Sequence, residues 1–200
     1  MEKTNYTVGY LDEEEDWQII IRDRLKNDFK ILILDLPSNP EQIWDIVLEK
    51  KIDALIVDFC LFESGSVSYS GNDIINAIQR HNIHFPLFIM TSYEHNAFSQ
   101  CEDVLIIRDK GMFQNEESLK RFKLTLKRHL DNYYQKENLF RQRLLELNKK
   151  NMLNKQEDEE KFKIELYLAE LDKDHSPALN LLSSKHTETM ENLLNLLKKY

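Results

Sequence analysis

The chain has 200 residues, enough for one ordinary domain with an appendage or for two small domains. Its 42% hydrophobic and 31% charged residues are those of a folded globular chain and argue against disorder. The net charge of −8 divides into 15 basic and 22 acidic residues up to position 130 and 12 basic and 13 acidic beyond it, so neither part has the basic excess of a nucleic-acid binder. No apolar run approaches the roughly 18 residues of a membrane span. The N-terminal stretch has neither the apolar core nor the cleavage site of a signal peptide. The expectation is a cytoplasmic protein without a membrane segment. Cys60 and Cys101 suit a reducing compartment, and neither has metal-ligand spacing with a histidine.

In chain order, the first apolar run is Thr7–Leu11, read as a buried strand. An apolar stripe of Trp17, Ile20, Ile21 and Leu25 follows it at helical spacing. Lys30–Leu36 is the second strand. Asn39-Pro40-Glu41-Gln42 is a helix start, with an N-cap, a proline at the first helical position and Gln three residues past the cap. Ala54–Asp58 is the third strand, and Gly71-Asn72-Asp73 opens a helix carrying Ile74, Ile75 and Ile78. Pro86–Thr91 is the fourth strand. One short helix fits around Glu94–Gln100, and a weaker fifth strand is expected at Asp103–Ile107. Asn115-Glu116-Glu117 opens a last helix. Short, non-alternating runs of Ile, Leu and Val separated by helices predict a doubly wound α/β fold, a five-stranded parallel sheet covered on both faces. With four glycines in the whole chain, a dinucleotide or P-loop site is not expected.

Function in such sheets collects at the carboxyl ends of the strands. The first strand ends in Asp12-Glu13, the third in Asp58 and the fourth in Thr91-Ser92, and the fifth leads to Lys110. Alone, the acidic run Asp12–Asp16 reads as a solvated helix start. Together the set brings carboxylates, a hydroxyl and an ammonium to one edge. Clustered carboxylates raise each other's pKa unless a cation lies among them, and hard oxygen ligands with open water positions suit Mg²⁺. Such a cation lets an anionic carboxylate accept a phosphoryl group.

The pieces Val8-Gly9-Tyr10-Leu11-Asp12-Glu13, Leu55-Ile56-Val57-Asp58, Phe88-Ile89-Met90-Thr91-Ser92 and Arg108-Asp109-Lys110, in this order, resemble the receiver domain of response regulators in two-component signalling. The resemblance covers about residues 5–130. It implies that Asp58 is the phosphoryl acceptor and that Asp12, Glu13, Asp58 and the backbone carbonyl of Cys60 hold Mg²⁺. It also implies that Thr91 is the switch hydroxyl and that Lys110 pairs with the phosphoryl group. A histidine kinase or phosphotransfer protein is the implied donor. Enzymatic output would be confined to self-phosphorylation from a donor and autodephosphorylation. The sequence departs from the family at Gly111, where proline is usual, at Ile107, where many members carry Tyr or Phe, and at Ser92 in place of the commoner Ala. The Phe59–Ser70 loop is also long for the family.

Residues 1–130 are therefore expected to form the receiver and residues 131–200 a helical, coiled-coil-like region for dimerisation or partner docking. Leu130, Tyr133, Phe140, Leu144 and Leu147 follow 3/4 spacing on one helix continuing to about Lys150. Asn151–Glu160 reads as a polar turn, Phe162–Leu171 as a second helix, and the stretch from Ser176 as a third. His175 and His186 read as structural. A homodimer or another protein partner would use this tail. The alternatives are a receiver-like scaffold that signals without phosphorylation and an antiterminator-like RNA-binding regulator, the latter opposed by the missing basic excess.

Overall fold

The computed structural model describes residues 5–63, 65–92 and 107–171. The expected Glu94–Gln100 helix, residues 103–106 of the expected fifth strand, the stretch from Ser176, His175, His186 and Cys101 lie outside them. The chain divides into two compact units, Met1–Tyr134 and Gln135–Tyr200.

In the first unit, β1 (Thr7–Leu11), β2 (Lys30–Ile33), β3 (Ala54–Asp58), β4 (Leu87–Thr91) and β5 (Ile107–Asp109) form one sheet in the order β2-β1-β3-β4-β5. Every pairing is parallel. The helices are α1 (Glu15–Leu25), α2 (Ile43–Glu49), α3 (Gly71–His81) and α4 (Glu116–Asn148), with α5 (Lys155–Leu171) in the second unit.

Strand side chains alternate between two cores. Leu55 and Val57 of β3 and Leu87 and Ile89 of β4 face one core with Ile43, Trp44 and Val47 of α2 and Ile74 and Ile78 of α3. Ala54 and Ile56, with Phe88 and Met90, face the other with Ile21 and Leu25 of α1 and Leu119, Phe122, Leu126 and Leu130 of α4. This is the doubly wound receiver fold expected from the sequence.

Three strand boundaries differ from those expected. β2 ends at Ile33 rather than Leu36, although the Leu34 N–H still donates to Tyr10 O at 2.9 Å. β4 starts at Leu87, because Pro86 has no N–H to give the ladder; its carbonyl accepts from Leu55 at 3.0 Å. β5 reaches Asp109, two residues past the expected end, and Thr91 pairs with Asp109.

The helix starts follow their caps. Asn39 and Gln42 form the capping box read from sequence, and Asn115 Oδ1 accepts from Ser118 N–H at 2.9 Å. Ser70 and Asp73 close a second box before α3. The expected turn at Asn151–Glu160 is shorter than read. Asn154 Oδ1 accepts from Glu157 N–H at 3.0 Å, and Glu157 Oε2 accepts from Asn154 N–H at 3.1 Å. This Asn-x-x-Glu box starts α5 at Lys155.

The expected coiled-coil seam is divided between the two units. Leu130 packs in the core of the first, and Tyr133 accepts a hydrogen bond there from Asn82 Nδ2 at 2.9 Å. In the second unit, residues after 134 of α4 pair with α5 as a hairpin. Phe140 meets Tyr167 edge to face at 4.9 Å between centroids, and Arg143 binds both carboxylate oxygens of Glu160 at 2.9 and 2.8 Å. Leu147 and Ile164 are buried. Among the described residues, no helix is long and apolar enough to cross a membrane.

Candidate functional site

The carboxyl edge of the sheet gathers the polar residues that hydrophobic patterning would otherwise place in water. Asp12, Asp58, Thr91 and Lys110 are buried, Lys110 to 2% exposure. Register explains the convergence. Val57 of β3 pairs with Leu11 of β1, so the next residues, Asp58 and Asp12, leave the sheet side by side. Met90 pairs with Asp58, which puts Thr91 one residue further along the neighbouring strand. Lys110 follows β5 directly and opens a 3-10 turn over Lys110–Gln114.

Lys110 is the electrostatic centre. Its Nζ lies 2.6 Å from Asp58 Oδ1, 2.9 Å from Asp12 Oδ2 and 3.8 Å from Glu14 Oε1. The Trp17 ring lies 5.2 Å from the same nitrogen, a cation–π contact. Burial opposes the lysine charge, but Asp58 and Asp12 outweigh it and raise its pKa. Lys110 therefore stays an ammonium.

The carboxylates show the opposite pressure. Burial raises the Asp58 pKa and Asp12 adds to it, while Lys110 and the Cys60 N–H pull it down; the net shift is upward. The Cys60 amide donates to Asp58 Oδ2 at 2.7 Å. Glu13 is pushed up to about 7 by burial and by the charges of Asp58 and Asp12. The Cys60 thiol rises to about 11, by burial and then by Asp58 and Glu63, which keeps it protonated.

Asp12, Glu13 and Asp58 each offer one carboxylate oxygen, all within 4.8 Å of one another. Glu13 Oε2 is buried without a hydrogen-bond partner. An orphaned carboxylate oxygen beside two other carboxylates is what a divalent cation would satisfy, so the residues present fit such an ion. The Cys60 carbonyl accepts from Glu63 N–H at 3.1 Å and keeps a second lone pair.

The structure thus brings together Asp12, Glu13, Asp58 and Lys110 by direct distances, Cys60 through its amide on Asp58, and Thr91 by register. Four neighbours of the site have no functional signal in the sequence. The Tyr10 hydroxyl donates to Asp12 Oδ2. The Glu14 N–H donates to Asp12 Oδ1 at 2.9 Å, and Gln18 Nε2 to the Asp12 carbonyl at 2.8 Å. Gly71 is pressed on the acceptor residue: a Cβ there would stand 2.1 Å from Asp58 O. Strand alternation could have found Tyr10, two residues before Asp12. No local signal marks Gly71, because the loop that returns it to Asp58 is long.

No family model matches the sequence, and no curated protein matches it. Solved structures do match. NtrX from Brucella abortus is 11% identical with a TM-score of 0.51, covering 70% of this chain and 31% of that one. A response regulator receiver domain protein from Clostridium thermocellum is 17% identical with a TM-score of 0.47, over 64% of this chain and 95% of that one. The RcsB response regulator of Salmonella typhimurium is 17% identical with a TM-score of 0.46, over 90% of this chain and 98% of that one. The likeness is one of fold, a five-stranded parallel sheet with helices on both faces.

Proposed function

We propose that this protein is a two-component response regulator that accepts a phosphoryl group on Asp58. The observation that carries the reading is the buried Lys110 ammonium, 2.6 Å from Asp58 and 2.9 Å from Asp12, in a site where a third carboxylate, Glu13, keeps an unpaired oxygen. Asp12, Glu13, Asp58 and the Cys60 carbonyl would hold Mg²⁺, which when bound supplies positive charge against the phosphoryl oxygens. An Asp58 oxygen attacks phosphorus, the bond from phosphorus to the donor breaks, and the donor leaves with its electron pair. Lys110 then moves from the carboxylate to a phosphoryl oxygen, and the Thr91 hydroxyl donates to another. The donor is a histidine kinase or phosphotransfer protein, and the chain's own catalysis is limited to this transfer and to hydrolysis of the acyl phosphate.

The output passes through protein contacts of the helical region after residue 134, by self-association or by a partner, in the cytoplasm. Light scattering at tens of micromolar should give the mass of a dimer. A monomer assigns the region to a different protein.

Intact-mass measurement with Mg²⁺ and a small-molecule phosphodonor tests the chemistry. One phosphoryl adduct is expected, lost in Asp58→Asn. No adduct, together with no Mg²⁺ binding by calorimetry, would make the protein a scaffold with a receiver fold.

A further inference from the structure

Nothing in the acceptor chemistry calls for Tyr10, yet it reaches the site. Side chains two apart on a strand share a face and stand about 6.6 Å from each other along it. A tyrosine ring laid along β1 therefore carries its hydroxyl to the carboxylate two residues on. Tyr10 is 0% exposed and packs in the core with Val8, Ile56 and Phe88, so the ring is held in place. Its hydroxyl donates to Asp12 Oδ2.

Asp12 has three donors on its two carboxylate oxygens. Oδ2 takes the Tyr10 hydroxyl and Lys110 Nζ at 2.9 Å, and Oδ1 takes the Glu14 N–H at 2.9 Å. A carboxylate oxygen offers two lone-pair sites. Oδ2 is thus filled and Oδ1 keeps one. Turning the carboxylate about its Cβ–Cγ bond breaks every one of these bonds, and two of the donors, Tyr10 and the Glu14 amide, belong to parts of the chain that cannot follow. Without the hydroxyl, Oδ2 would have only the lysine to hold it, and Lys110 is shared with Asp58.

We propose that Tyr10 is a positioning residue of the cation site: its hydroxyl fixes the rotation of the Asp12 carboxylate, so that one Oδ1 lone pair is presented to a divalent cation while Lys110 remains available to Asp58. This rests on the reading of Asp12, Glu13 and Asp58 as a Mg²⁺ site and deepens it.

The test is Mg²⁺ titration by calorimetry on the full chain, unaltered and as Tyr10→Phe and Tyr6→Phe. Tyr6 packs in the same core, and its hydroxyl donates to Asp131 at 2.7 Å rather than to Asp12, Glu13 or Asp58. Each substitution removes one hydroxyl and keeps the ring; thermal melts check folding. Tyr10→Phe should weaken Mg²⁺ binding about tenfold, the factor of one charge-assisted hydrogen bond. With Mg²⁺ saturating, its rate of adduct formation from a small phosphodonor should return to within about twofold of the unaltered chain. Tyr6→Phe should leave the Mg²⁺ affinity unchanged. Equal affinity in the unaltered chain and Tyr10→Phe overturns the inference and leaves the acceptor reading standing. Equal weakening by Tyr6→Phe also overturns it, because the loss would then come from a loosened core. If the unaltered chain binds no Mg²⁺, the acceptor reading falls and the inference falls with it.

Discussion

If Asp12, Glu13 and Asp58 hold Mg²⁺ as proposed, the raised pKa of Glu13 should make that binding depend on pH in the neutral range. The perturbation is a change of pH between about 6 and about 8, across the value of about 7 to which burial, Asp58 and Asp12 push the Glu13 carboxyl. A metal ligand must be deprotonated, so cation and proton compete. For one carboxyl with a pKa of about 7, the ionised fraction rises about tenfold over that span, and the apparent Mg²⁺ affinity should rise by about the same factor. Stability of the metal-free chain runs the other way. The folded pKa lies above the unfolded value, so the folded state binds the extra proton. The contribution is complete below the unfolded pKa of about 4.5 and is lost as pH rises to about 7. Calorimetric Mg²⁺ titrations at several pH values give the affinity, and melts with and without Mg²⁺ give the stability. Glu13→Gln should flatten most of the dependence. A flat profile in the unaltered chain, or the same slope in Glu13→Gln, would refute the assignment of Glu13 as the titrating ligand.

Lys110→Met removes the ammonium between Asp58 and Asp12; adduct formation by intact mass should slow at least about a hundredfold, the scale of losing one electrostatic partner of a reacting group. Gly71→Ala at a helix start would ordinarily be neutral or stabilising, but here the added Cβ would stand 2.1 Å from Asp58 O, and denaturant melts should show a loss of about 1–3 kcal/mol. Asp53→Ala takes away the acceptor of the Thr7 N–H at 2.7 Å and of the Tyr134 hydroxyl. It should cost about 2–4 kcal/mol in the same melts and leave Mg²⁺ affinity unchanged, since Asp53 precedes β3 and Asp58 ends it.

The strands and the strand-end residues were legible because parallel strands covered on both faces are written as continuous apolar runs, and a charge at the end of such a run has few places to go. Asp58 after Leu55-Ile56-Val57 and Asp12 after Tyr10-Leu11 are of this kind. Boundaries were less legible where a single backbone group decides them, as with the missing N–H of Pro86. The helix start at Lys155 is hard to see in the sequence because Asn154 and Glu157 sit in a stretch whose polarity reads as a turn; their reciprocal bonds make it a cap. The seam from Leu130 to Leu147 reads as one surface because 3/4 spacing records which face is apolar, not which core receives it. Leu130 faces a sheet and Phe140 a helix. Contacts made at long range, such as Gly71 on Asp58, leave no periodic trace.

The placement of the buried charges bears on how a change at Asp58 could leave the site. β3 is paired on both sides, with β1 and with β4, and all its residues are buried. Its N-terminal end is tied by Asp53 to Thr7 and Tyr134. A strand held in this way cannot slide without breaking two ladders and exposing a carboxylate to apolar surroundings. Among the described residues, Lys110 and the 3-10 turn it opens stand outside these ladders. The 3-10 turn it opens carries Phe113, whose carbonyl accepts from Arg24 Nε and a terminal guanidinium nitrogen at 3.0 and 2.8 Å. Arg24 also pairs with Glu116, the first residue of α4, at 2.7 Å. On the proposed function, a shift of the ammonium from carboxylate to phosphoryl oxygen would pull on a turn clamped to α1 and to the start of α4, beside the Trp17 ring that lies 5.2 Å from the same nitrogen. On that reading, the path from Asp58 to the start of α4 would run through Lys110, Phe113 and Arg24, with the sheet as the fixed frame.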